Sequence, residues 1–283
     1  MAALAFALAS SALWGIADYL GGLKSRTFPV PVVLAMMYLS SLVVMLVFVT
    51  ARGEGPPSSS HVLASLGAGL VGIAGLSAFY RALAIGTMSI VAPIASTGVA
   101  LPVIVGLIGG DRPGPVRSAG LALAVVGIVL ASREDDEAPS DAGAQRLSIV
   151  LAIAAGLGFG SYFVLAEYGS SGDVAWALVL SRVSGFPIIA LVALLALHRG
   201  GTRPTVAVLA TLAGIGLIDL GANYFYNHAS TLGELSSVAV AASLYPVTTV
   251  MLAALLLGER VHGVQRAGVI VALTGVVLIA AGG

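Results

Sequence analysis

The sequence predicts an all-α integral membrane protein of ten transmembrane helices, built as two inverted five-helix repeats. Three observations carry this expectation. The chain is 58% hydrophobic and 9% charged, with a mean hydropathy of +1.04, whereas a water-soluble domain carries roughly 25% charged residues. It divides into about ten apolar stretches, each near the ~20 residues that cross a bilayer. Residues also recur about 147 positions apart, and duplicated halves with an odd number of helices must lie inverted in the membrane, an architecture typical of secondary transporters.

The first-half spans are expected at 2–22, 31–51, 62–84, 89–109 and 116–132. The second-half spans are expected at 147–168, 174–197, 206–229, 235–257 and 263–281. The first span lacks the basic leading segment of a signal peptide and carries Trp14 and Asp18 within its apolar run, so it reads as a spanning helix. Connections are short except from Arg133 to Arg146, where Glu134, Asp135, Asp136, Glu137, Pro139, Ser140 and Gly143 make a polar, turn-rich segment. That segment reads as a linker between repeats 1–132 and 147–283, and its acid run as a solvated loop rather than a cation site. Pro93, Pro102, Pro187 and Pro246 fall inside spans, where each removes a backbone hydrogen bond and provides either a hinge or a fixed kink that shapes a cavity. Gly69, Gly72 and Gly75 suit close helix packing or a moving interface.

Several function classes are excluded by composition. Lys+Arg and Asp+Glu both total 13, and no basic face interleaved with aromatics suits nucleic acid. Cysteine is absent and the four His are scattered, so neither a thiolate site nor a metal centre is expected, and no cofactor is implied.

The repeat is clearest at the end of each half. Gly110, Asp111, Arg112, Gly120 and Gly127 match Gly258, Glu259, Arg260, Gly268 and Gly275 at an offset of 148. Tyr80 corresponds to Tyr226, Gly86 to Gly233, and Trp14-Gly15 to Phe159-Gly160. The aromatic-Gly pair in the first helix of each half, the Tyr-rich end of the third, and Leu257-Gly258-Glu259-Arg260 before a Gly-punctuated last helix resemble EamA-type members of the drug/metabolite transporter superfamily. The resemblance spans essentially the whole chain. It departs in the first half, where Asp111-Arg112-Pro113 replaces the usual Glu-Arg. It implies a ten-helix carrier of small metabolites, often an exporter of amino acids or related compounds, in the cell (inner) membrane.

The candidate site residues are those a bilayer tolerates only for a reason. An ionised group at mid-bilayer costs about 2.5–3.5 kcal/mol on the insertion scale. Arg182 and Asp219 both lie about 20 Å from the turn joining helices 7 and 8, so they are able to meet. They read either as a substrate-cavity pair that opens to a zwitterion or exchanges a proton, or as a permanent structural pair. Asn223, Tyr226, Asn227 and Ser230 continue the face of Asp219 as a polar stripe, lining a translocation cavity or forming an interhelical hydrogen-bond seam. Asp18 and Arg81 approach the opposite surface, with Trp14 and Tyr80 beside them, either as the wall of a second entrance or as interfacial anchors. Tyr162 and Tyr245 are cavity liners or hydrogen-bonded packing residues. Glu167 and Asp173 are expected to bracket a solvated loop.

The leading reading is therefore alternating access around a midplane site, with Asp219 the first proton-linked carboxylate and Asp18 the second. The partners would be a small-molecule substrate, lipid and the proton. Two Arg make the cavity less basic than a nucleotide-sugar or lipid-linked carrier would want. An intramembrane enzyme would need H-E-x-x-H, G-x-S-x-G or facing acidic clusters, which the sequence lacks. A sensor or non-transporting partner would not need polar residues at mid-depth. Terminus-side loops hold three basic residues, Arg52, Arg112 and Arg117, against eight opposite. The positive-inside rule thus places both termini outside, while the resembled family is generally drawn with both inside. Richness in alanine, glycine and arginine suggests a GC-rich bacterial genome.

Overall fold

The computed structural model describes residues 1–131, 142–258 and 263–281, which are helical almost throughout and contain no strand. The first half comprises α1 (Ala2–Ser25), α2 (Val30–Arg52), α3 (Ser59–Ile85), α4 (Met88–Ser96), α5 (Ala100–Gly109) and α6 (Pro115–Ala131). The second comprises α7 (Ala142–Gly172), α8 (Val174–His198), α9 (Val206–Ser230), α10 (Leu235–Ala242), α11 (Tyr245–Leu252) and α12 (Gly263–Ala281). Eight stretches among the described residues are long and apolar enough to cross a bilayer, with α4–α5 and the run Leu235–Leu257 each counted as one, and Pro115–Gly127 is a shorter apolar helix. The chain is a multi-pass membrane protein.

Two sequence expectations are corrected here. α7 starts at Ala142, so Gly143 and Arg146 belong to a helix and not to the linker, whose residues 133–141 lie outside the described residues. Glu167 does not border a loop, because α7 continues to Gly172 and leaves only Asp173 between it and α8. Glu259 and Arg260 also lie outside the described residues.

The spans Met88–Gly109 and Leu235–Leu257 are both broken near their middles. Between α4 and α5 runs a three-residue 3-10 turn, Thr97–Val99, flanked by Pro93 and Pro102. Between α10 and α11 lies Ser243–Leu244, with Pro246 in the first turn of α11, where its missing N–H is no loss. The paired glycines that end these spans have a shared backbone cause: Gly110 (φ 117°) and Gly258 (φ 69°) close their helices in the left-handed region that favours glycine.

Packing follows the same doubling. α3 lies along α7 as α1 lies along α9, and α3 meets α8 as α2 meets α9. α7 crosses α4–α5 as α1 crosses α10–α11, while α2 pairs with α8 and α6 with α12. Gly15 and Gly160 permit the two crossings: a Cβ at Gly15 would lie 2.6 Å from the Tyr245 carbonyl, and one at Gly160 would collide with the Gly98 carbonyl. The core gathers Leu34, Met37, Phe79, Leu83 and Met88 on one side and Phe163, Tyr226 and Val238 on the other. Large apolar side chains such as Val47, Phe48, Leu191 and Leu194 face outward, as lipid as a solvent permits.

Candidate functional site

A cavity of about 60 Å³ opens between the halves at mid-depth, room for roughly four to six waters. α1 contributes Trp14 and Asp18, α2 Tyr38, and α3 Gly72 and Leu76. α7 contributes Phe159, Tyr162 and Phe163, α8 Arg182, α9 Asp219 and Asn223, and α11 Tyr245. At 1.5 Å per residue, Arg182 lies about 12 Å from the start of α8, and Asp18 about 24 Å along α1, where both helices start at the same end of the bundle.

The polar side chains form a directed network. Arg182 Nη2 donates to Asp219 Oδ2 at 2.9 Å, and both groups are buried. The Arg182 guanidinium also lies over the Tyr38 ring, 4.5 Å from its centroid, a cation–π contact that holds the charge where water is scarce. Asn223 Nδ2 donates to the Asp219 carbonyl at 2.7 Å, and its Oδ1 accepts from the Tyr162 hydroxyl at 2.6 Å. Asp18 is 5% exposed, and no described residue hydrogen-bonds or ion-pairs with its carboxylate. The Tyr245 hydroxyl is likewise buried without a hydrogen-bond partner, as is Arg182 Nε.

The structure brings together seven of the eleven sequence candidates, Trp14, Asp18, Tyr162, Arg182, Asp219, Asn223 and Tyr245. Arg182 and Asp219 meet, as their similar distances from the shared turn allow. Asp18 is not part of a separate entrance; it lines the same cavity as that pair. Arg81 stands exposed near the end of α3, and Tyr80 is fully buried with its hydroxyl donating to the Ala17 carbonyl at 3.2 Å. The α9 stripe divides below Asn223. Tyr226 donates to the Phe163 carbonyl at 3.0 Å, Asn227 donates to the Asn223 carbonyl and accepts from Ser170 Oγ at 2.6 Å, and Ser230 donates to the Asn227 carbonyl. Tyr226, Asn227 and Ser170 join α7 and α9 in a seam below the cavity.

Sequence reasoning missed Tyr38, Gly72, Leu76, Phe159 and Phe163 as liners. Phe159 carried a signal as the repeat mate of Trp14, and Tyr38 as a lone tyrosine 144 positions before Arg182. Gly72 stood out only as one of three packing glycines, and Leu76 and Phe163 are ordinary apolar text.

Helices alternating in direction place the ion pairs between the halves at the end where α1 begins. Arg52 Nη2 contacts Asp173 Oδ2 at 2.9 Å and also pairs with Glu54, and Trp176 Nε1 donates to the Glu54 carbonyl at 3.2 Å. Arg117 contacts Glu234 at 2.6 Å, and Asp111 Oδ2 accepts from the Ser236 amide at 3.1 Å. Asp173 also caps α8, accepting from the Trp176 amide at 2.8 Å. Burial pushes its carboxyl up, but the hydrogen bonds from Arg52 and Trp176 outweigh burial and hold it below the usual aspartate range. The seam and these pairs join the two halves at this end.

A family model described as the EamA-like transporter family matches residues 1–133 and 146–281. One solved structure, described only as a crystal structure of a protein, aligns with a TM-score of 0.66 and 18% identity over 98% of this chain and 95% of its own, a likeness of fold alone. No curated protein matches the chain.

Proposed function

This chain belongs to the EamA-like transporter family, whose members are transporters and not enzymes, and we propose that it is a secondary active carrier moving a small metabolite outward across the cell (inner) membrane. The mechanism is alternating access between two inverted five-helix halves, 1–132 and 147–283, that together make ten spans. The substrate class is the amino acids and related compounds, and the coupling ion is the proton.

The observation that carries this reading is the mid-depth cavity, walled by both halves and holding two carboxylates and an arginine where lipid would otherwise be the solvent. The duplicated packing supports the inverted halves. Swapping α1–α6 for α7–α12 exchanges the α1–α9 contact with the α3–α7 contact and leaves α2–α8 and α6–α12 as pairs. A rocking of one half on the other needs closure at one end at a time, and the seam and ion pairs supply it at the α1 end. Asp219 would exchange its Arg182 partner for substrate or proton as the halves move.

The test is uptake of a panel of radiolabelled amino acids and their derivatives into proteoliposomes, with and without an imposed pH gradient, for the intact protein and for Asp219→Asn. Gradient-driven accumulation that the substitution abolishes is the expected result. Transport indifferent to the gradient removes the proton, and no flux of any compound removes the carrier reading for this substrate class.

A further inference from the structure

We propose that the cavity selects a monocationic ammonium compound over a zwitterion, with the unpartnered Asp18 carboxylate as counter-ion and the Tyr245 hydroxyl as the neighbouring hydrogen-bond partner. The proposal rests on the cavity being the substrate site of the carrier reading and narrows its substrate class from the amino acids to the related amines.

Charge comes first. The lining carries Asp18, Asp219 and Arg182, which sum to one negative charge. The arginine is largely committed: its Nη2 holds Asp219 at 2.9 Å and its guanidinium lies over Tyr38, 4.5 Å from the ring centroid, although its Nε is buried without a partner. A substrate carboxylate would have to displace Asp219 to find a cation. Asp18 has no such commitment among the described residues, and it lines the cavity. A buried carboxylate without a partner is unfavourable until a proton or a counter-cation neutralises it, so amine and proton compete for one position.

The surroundings favour an ammonium. Trp14, Phe159, Tyr162 and Tyr245 present aromatic walls, whose negative faces attract cations. The Tyr245 hydroxyl is 4% exposed at the residue level and unpartnered, and a hydroxyl oxygen accepts from an N–H as readily as it donates. The titratable groups that face Asp18 from the packed helices are Asp219 of α9 held by Arg182 of α8, Tyr80 of α3 held on the Ala17 carbonyl, Tyr38 of α2 beneath Arg182, and Tyr245 of α11. α10 brings none. No cation other than Arg182 lines the cavity among the described residues.

Three probes with one branched carbon skeleton separate the charge states: isoamylamine, leucine and 4-methylpentanoate, titrated calorimetrically into the purified protein in detergent. The amine should bind at least about tenfold more tightly than either of the others, lose affinity as pH falls, and lose about tenfold or more on Asp18→Asn with partial recovery on Asp18→Glu. Equal or tighter binding of leucine or 4-methylpentanoate overturns the proposal. So does an amine affinity unmoved by Asp18→Asn, or no amine binding at tens of millimolar. Should Asp18→Asn fail to fold, labelling of Asp18 in the intact protein by a hydrophobic carbodiimide decides: protection by isoamylamine and not by leucine supports the proposal, and equal labelling with and without amine defeats it. Proteoliposome flux keeps the two readings apart. Amine binding that depends on Asp18 without flux of any probe supports the cation site and sinks the carrier, whereas leucine flux without amine binding sinks the cation site alone.

Discussion

The two halves of this chain repeat their packing to the level of single hydrogen bonds and differ where the cavity is. Tyr80 donates to the Ala17 carbonyl and Tyr226 to the Phe163 carbonyl, each across 63 residues. Ser40 Oγ reaches the Ala213 carbonyl from α2 to α9, and Ser184 Oγ reaches the Leu66 carbonyl from α8 to α3. At the cavity the correspondence fails. Gly72 and Leu76 stand 147 positions before Asp219 and Asn223, and Tyr38 stands 144 before Arg182. The helix contacts must fit from both sides of the interface, so both halves hold them. A second buried Arg–Asp pair would add its own desolvation cost.

The sharpest way to break this comparison is to make the halves alike. Asp219→Gly alone leaves Arg182 buried and unpaired, a loss of about 3–5 kcal/mol, and should yield little monodisperse protein in size-exclusion chromatography. Adding Arg182→Tyr removes the orphaned charge. The double variant should regain much of its thermal stability and still transport nothing. Recovery of flux in that variant would show that the asymmetry is incidental.

A milder change should affect both halves equally. Tyr80→Phe and Tyr226→Phe each delete one buried hydroxyl hydrogen bond, worth about 0.5–1.5 kcal/mol, and should lower the thermal midpoint by similar amounts without altering substrate selectivity. A selectivity change confined to Tyr226→Phe would move that residue from the packing seam into the site.

A change of similar size separates the two turns that begin the second helix of each half. α2 starts at Pro29 with no side-chain cap, whereas α8 starts at Asp173, 144 positions on, with a cap and an ion pair to Arg52. Asp173→Ala should cost roughly 0.5–2 kcal/mol near neutral pH. A carboxylate depressed in the folded state stabilises fully above its unfolded value near about 4 and loses that contribution as pH falls through the lower folded value. The gap between variant and intact protein should therefore narrow in thermal unfolding below about pH 4.

The helices were legible because lipid imposes a length and a polarity on each segment. Spans expected at 31–51 and 206–229 are Val30–Arg52 and Val206–Ser230. The α7 start was not, because Gln145 and Arg146 look like linker text although a helix that protrudes beyond the bilayer accommodates them. Within the site, Arg182, Asp219 and Asn223 were legible as groups that hydrocarbon will not take without partners. Tyr226 and Asn227 looked the same in sequence and proved to be committed to α7, because a polar stripe names a face but not the neighbour on it. Gly72 was legible only as a packing glycine, and Leu76 and Phe163 had no signal at all, being apolar residues in apolar helices.

By itself the sequence determined that the chain lives in a membrane, where its helices run, that its text is doubled, and which buried charges need a partner. Each of these follows from solvent and spacing, which act locally. Only the tertiary structure decided that Asp18 shares a cavity with the Arg182–Asp219 pair and remains without a partner there, that Tyr38 underlies the guanidinium, and that the lower stripe of α9 is consumed by α7. Those outcomes depend on which helices touch and at what depth, and contact across hundreds of positions is fixed by packing alone.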